Sequence, residues 1–180
     1  MTKITALLSV LVAGLLALAV TSTAQDSDAA TAPEAIVLGT FDSRGIALAY
    51  YRSAAFSAAL KELHAQRDAA EAEGDTKLVE ELERRGPAMQ AEAHRRTFGN
   101  ASVRDLLDPL KGEIAAIAKR LGVDVVVSRW DQVYRRPSAK SVDVTADLAG
   151  LFDPDEKTLQ IMGELLKKDP VPLADLRADD

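Results

Sequence analysis

Two histidines, His64 and His94, are all the imidazole this chain has. They fall on either side of Gly74, so a helical hairpin turning there would set them on facing helices. Neither belongs to an H-x-x-H or H-E-x-x-H spacing, which would let one helix face hold a metal. Solvated helix positions account for both. Ser43 follows Asp42, a hydroxyl beside a carboxylate, but a serine nucleophile needs a base and no histidine lies near in sequence. A helix cap explains both residues, since either side-chain oxygen accepts from the free N–H groups of a first turn. Asp42, Asp124 and Asp131 are separate carboxylates at expected strand ends. Acid–base work needs two of them close together in a cleft. Antiparallel pairing of the first two strands would bring Asp42 to Asp124, with Arg44 the more natural partner of Asp42 in a structural ion pair. A hydrolase built on Asp42 would further need a concave pocket with convergent polar groups.

Trp130 is the only tryptophan. It can cap a small sheet, stack on a ligand, or be buried in a core or interface, the last favoured by the area an indole covers. Gly39, Gly45 and Gly112 are scattered and make neither a phosphate loop nor a dinucleotide fingerprint. With no cysteine, thiolate metal sites, disulfides and cysteine nucleophiles are excluded. The expectation is a non-enzymatic chain, with no catalytic, cofactor-binding or metal-ligating residue.

The chain carries 28 Asp and Glu against 22 Lys and Arg, a net charge of −6. Such a balance argues against nucleic acid, whose phosphates call for clustered cations, and against an anionic membrane surface. Lys3, the apolar run from Ala6 to Val20 and Ser22-Thr23-Ala24 read as a signal peptide over residues 1–24, cleaved after Ala24. The alternative is an uncleaved anchor, although the run is shorter than the ~20 residues a spanning helix needs. Residues 25–34 read as a flexible mature N-terminus.

The remaining elements would position these side chains. Ala35 to Phe41 reads as a strand feeding a helix near Arg44. Ile46, Ala49, Ser53, Phe56, Leu60 and Leu63 recur at three and four, a narrow seam that predicts one helix to Glu73. Gly74-Asp75 can end it and cap the next. A second helix from Thr76 to about Arg96 contains Gly86-Pro87, predicting a kink there or, alternatively, the reversal itself. After a break at 98–101, Ser102 and Asp105 make a capping pattern for a helix over Val103 to Leu121, closed by Gly122. Val123, Val125, Val126 and Val127 are β-branched and nearly continuous, and read as a buried strand. Ser128 to Asp131 turns the chain, and Gln132-Val133-Tyr134 returns it as a second strand. Val142-Asp143-Val144 leads to a short helix capped by Thr145. Asp153-Pro154 starts a last helix, and 170–173 should run extended.

A strand entering a helix at Ile36-Val37-Leu38, a tip at Gly74-Asp75-Thr76-Lys77-Leu78, the strand pair Asp124–Val127 with Val133-Tyr134, and Val142-Asp143-Val144-Thr145-Ala146-Asp147 together resemble the OmpH/Skp family of periplasmic chaperones. The resemblance covers roughly 35–148. It implies an α+β fold: a small antiparallel sheet body, 35–152, carrying a long inserted helical hairpin, 44–121, as coiled-coil-like arms. It also implies a homo-oligomer, in that family a trimer, enclosing unfolded proteins between its arms. The expected function is thus an exported, Skp/OmpH-like holdase of the periplasm or cell envelope, with unfolded or envelope proteins as partners, no nucleic acid, no cofactor and no stable membrane span. The alternative is a structural or interaction module of an envelope complex without chaperone activity. The acidic charge, the interruption at 98–101 and the extra segment 153–180, a helix with an extended tail, depart from the family pattern. Mass spectrometry of the protein from its native source should show a mature start near Gln25, and an intact Met1 in the bulk of it would contradict the leader.

Overall fold

The computed structural model describes residues 35–176. The expected leader and flexible N-terminus, 1–34, and the last residues of the tail lie outside that range. The strands are β1 (Leu38–Phe41), β2 (Val125–Ser128) and β3 (Ser141–Asp143), in the order β2-β1-β3. Both pairings are parallel: Leu38 stands opposite Val125 on one side and Ser141 on the other.

This overturns the expected antiparallel sheet. Parallel neighbours need a long crossover, and here helices supply it. β1 runs directly into α1 (Ser43–Tyr51), and the chain returns to β2 through α2 (Ala54–Glu73), α3 (Thr76–Thr97), α4 (Arg104–Leu107) and α5 (Lys111–Leu121). The expected return strand is not formed. Ser128 Oγ accepts the Trp130 N–H, winding residues 129–131 into a 3₁₀ turn. The chain then crosses to the far side of β1, where the Leu38 N–H bonds Lys140 O at 3.1 Å. Val133 is left fully exposed.

The long coiled-coil arms, and with them the Skp-like fold class, are overturned as well. The helix expected from Arg44 to Glu73 is cut in two, because Ser53 takes an extended conformation and its Oγ accepts the Phe56 N–H. α1 then belongs to the body, buried from Ser43 to Ala49. Likewise the helix expected over 103–121 is split at Pro109, where a 3₁₀ turn separates α4 from α5. What remains is a hairpin of 20 and 22 residues, α2 and α3, each about 30 Å long at the helical rise. Of the residues in its seam only Ala70 and Leu82 are buried. Its turn is at Gly74 (φ 72°), and Asp75 caps α3, as the glycine suggests. α3 runs through Pro87 as one helix.

β1 is the middle strand, and side chains alternate across it. Val37 and Phe41 face the core with Val126 and Val142, against Ile46, Val103, Leu107, Ile117 and Leu148. Gly122 (φ 63°) closes α5 and aims the chain into β2. α6 (Thr145–Ala149) and α7 (Glu156–Leu165) cover α1; Arg52 Nε donates to Thr158 Oγ1 at 2.9 Å. The tail folds back, its Val171 N–H donating to Phe98 O. At Gly39 the core closes on the backbone, since a Cβ there would lie 2.7 Å from Val123 Cγ1 and 3.3 Å from Val144 Cγ1. Gly39→Ala should therefore cost about 1–3 kcal/mol, as overpacking does. Val123→Ala should recover part of that loss. Purely additive losses in a denaturant-unfolding double-mutant cycle would contradict this packing.

Candidate functional site

The polar centre of the molecule forms at the carboxyl end of β1. Asp42 leaves the strand in an extended conformation and caps α1, Oδ1 accepting the Arg44 N–H at 3.0 Å. Both residues are almost wholly buried, and they face each other as a fork. Arg44 Nε donates to Oδ1 at 3.0 Å and Nη2 to Oδ2 at 2.7 Å. Trp130 Nε1 donates to the same Oδ1 at 3.2 Å, and Arg129 Nη1 stands 3.6 Å from Oδ2. The Arg44 guanidinium lies 5.3 Å from the Trp130 ring centroid, within cation–π range. Its third arm, Nη1, donates to Lys168 O at 2.7 Å, and the Asp42 N–H donates to Thr145 Oγ1 at 2.9 Å.

A buried charge pair is tolerated when its remaining lone pairs and protons are satisfied. Here the carboxylate accepts from a fork, a backbone N–H and an indole. Burial by itself pushes the Asp42 carboxyl up, but the Arg44 side chain and N–H, aided by Trp130, hold it below its usual value. So engaged, Asp42 is an ion-pair partner rather than a general base.

A cavity of about 420 Å³ opens beside this centre, at the carboxyl ends of β1 and β2. Phe41, Val103, Leu107, Ile114 and Val126 give it an apolar wall. Ser43, Asn100, Arg104, Ser128 and Asp131 give it polar groups. Clefts outside the carboxyl ends of parallel strands are where open α/β sheets take their ligands. Ser43 is 1% exposed, and its hydroxyl has no hydrogen-bond partner.

The structure separates most of the residues singled out in the sequence. Asp42 and Asp124 do not meet. In a parallel pair Asp124 precedes β2, at the opposite end of the sheet, where its Oδ2 accepts the Val37 N–H at 2.7 Å. The Asp42–Arg44 pair is present as the residues suggest. His64 lines a groove of the hairpin with Leu63, Leu82 and Gly86, whereas His94 packs edge-on against Phe98. Among the described residues no three His, Asp or Glu side chains gather as a metal site would require. Trp130 is half-buried and committed to Asp42.

Sequence reasoning missed Arg129, which also bonds Asp143 at 3.0 Å, and the role of Thr145, read as a helix cap but standing inside α6, where its hydroxyl accepts from the Asp42 N–H and its own N–H donates to Asp143 Oδ1. An arginine next to the only tryptophan was the available signal. No helix among the described residues is long and apolar enough to cross a membrane. No family model matches the chain, and neither a curated protein nor a solved structure does.

Because the folded-state value of Asp42 is depressed, its contribution to stability is complete above the unfolded value near 3.8 and is lost as pH falls through the lower folded value. Asp42→Ala strands Arg44 and should cost about 3–5 kcal/mol near neutral pH. Its unfolding temperature should also fall less between pH 5 and pH 2 than that of the unaltered protein. Parallel acid profiles for the two proteins would contradict the pair's role.

Proposed function

We propose that the chain is an exported, non-enzymatic interaction module of the cell envelope that assembles with further copies of itself through the uncovered face of its sheet. The observation that carries this reading is the exposure of that face. All-parallel sheets are ordinarily covered on both sides; here the second face is covered only at its Thr40 end, by the 129–135 segment, and is open at its Leu38 end. Leu38, Val125 and Ser141 share a row on the side away from the core. Val125 is 46% exposed, and Ile36, one step along the same face, is 62% exposed. The loop returning from β2 adds Val133 and Tyr134 to the exposed apolar surface. β2 is also an edge strand whose valine run carries no charge to discourage pairing. A second copy of the chain, presenting the same Ile36, Leu38 and Val125 patch, fits this surface by symmetry.

The interaction-module reading is preferred to the holdase because of where the apolar surface lies. A holdase needs dispersed apolar contacts inside a sheltered space, whereas a module needs one contiguous patch. The hairpin offers no large apolar patch for a client: Leu78 is its exposed large aliphatic side chain, and the rest of its exposed surface is charged and polar residues interspersed with alanines such as Ala55, Ala58, Ala65 and Ala72. Export and an envelope location rest on the leader pattern in residues 1–24. The residue matches at 124–127 and 142–147 support kinship with the OmpH/Skp family in the strand and closing segments alone. Tyr50, Tyr51, Phe56 and Phe152 pack on one another within the chain and so do not add to this patch.

Val125→Lys changes the open face, and Val126→Asp changes the core face. Light scattering with thermal unfolding across a concentration series should show an oligomer for the unaltered protein, with an unfolding temperature that rises with concentration. Val125→Lys should be a folded monomer, whereas Val126→Asp, on the half-buried core-facing side, should be destabilised as well. An unaltered protein that stays monomeric, with one unfolding temperature down to nanomolar concentration, would overturn the assembly. Suppression of aggregation of a refolding membrane protein would instead favour the holdase.

A further inference from the structure

We propose that the cavity at the carboxyl ends of β1 and β2 is a binding site for a small zwitterion with an apolar body, of the class of a free α-amino acid with a hydrophobic side chain. Its volume, about 420 Å³, lies at the small end of the ~300–1,000 Å³ range of small-molecule pockets and suits one such ligand. The wall has an apolar part and two charges of opposite sign left over. Lys111 and Asp108 pair with each other at 3.3 Å. Arg104 and Asp131, both solvent-exposed at the mouth of the cavity, make no ion pair among the described residues. A ligand bearing one carboxylate and one ammonium satisfies both without altering the net charge of the cavity. A plain fatty acid would leave Asp131 facing an anion, and a plain amine would leave Arg104 facing a cation.

The second observation is Ser43. Its hydroxyl is buried on the wall of the cavity, at the first turn of α1, with no partner in the protein. Buried polar atoms are as a rule hydrogen-bonded, and a native exception needs a reason. A ligand carboxylate shared between this hydroxyl and Arg104 supplies one. The α1 end also bears the positive end of the helix dipole. The adjacent Asp42 carboxylate does not oppose this, because it is already held by Arg44, Arg129 and Trp130. The aliphatic part then lies on Phe41, Leu107, Ile114 and Val126.

The test is calorimetric titration of the full chain with L-leucine and L-phenylalanine, with 4-methylpentanoate and isopentylamine as single-charge controls. At least one amino acid should bind saturably with one site, and each control should bind about tenfold more weakly or worse, as loss of a charge-assisted bond implies. Arg104→Gln and Asp131→Asn should each weaken the amino acid about tenfold, and Asp131→Asn should spare the carboxylate control. Ser43→Ala removes an unpaired buried hydroxyl, so it should leave the unfolding temperature of the free protein unchanged or raised. It should nevertheless weaken binding several-fold, which a purely structural serine would not do. Should a variant fail to fold, amide shifts of the unaltered protein on titration decide the matter. Changes confined to Phe41, Ser43, Arg104, Val126 and Asp131 support the site. Absence of saturable binding by both amino acids, equal binding of the single-charge controls, or shifts elsewhere would each overturn it.

Discussion

The buried fork between Asp42 and Arg44 is the constraint on which the rest of the structure depends. Four segments remote in sequence converge on it: the end of the middle strand, the turn at 129–131, the start of α6 through Thr145, and the chain after α7 through Lys168. Each contributes a hydrogen bond that the pair cannot find in water once it is buried. Desolvating two charges is expensive, and a well-packed apolar pair can do as well for stability alone. What the ion pair adds is direction. Its donors and acceptors admit one arrangement of these four segments, so the carboxyl end of β1 becomes the point at which the fold is assembled.

That constraint accounts for the two unlike faces of the sheet. The helices that close around the polar centre cover the Val37 and Phe41 side, leaving the Leu38 and Val125 side outside the monomer. A parallel sheet left partly open is uncommon; on this face Thr40, Ser141 and Asp143 supply polar groups, whereas β2 presents valines alone. The proposed self-association through the open end of this face and the proposed ligand site at the strand ends would draw on different surfaces of one small sheet, and one can fail without the other.

Much of the framework was legible. The valine run of β2, the left-handed glycines at 74 and 122, the capping aspartates at 42 and 75, and the Asp42–Arg44 pair follow from local rules read directly off the residues. Strand direction was not legible, because Val133-Tyr134 has the composition of a return strand and nothing local shows that Trp130 is tied to Asp42 instead. The division of the first long helix at Ser53 and of the third at Pro109 had local signals, a serine able to cap and an interior proline, outweighed by an apolar periodicity that runs through both. The cavity could not be read at all: its wall joins the 100–111 segment, two strands and one helix turn. Ser43 in particular gave the same signal whether it capped a helix or faced a ligand. Its lack of a partner exists only in three dimensions.

The most direct measurement is a carbon-detected NMR titration of the Asp42 side-chain carboxyl in the intact protein, assigned with Asp42→Asn. A fork with Arg44, closed by the Trp130 indole, requires the carboxyl to titrate below the usual 3.8, and the indole N–H signal to shift with it. A carboxyl titrating at or above 3.8, or an indole indifferent to it, would mean that the pair does not organise this fold.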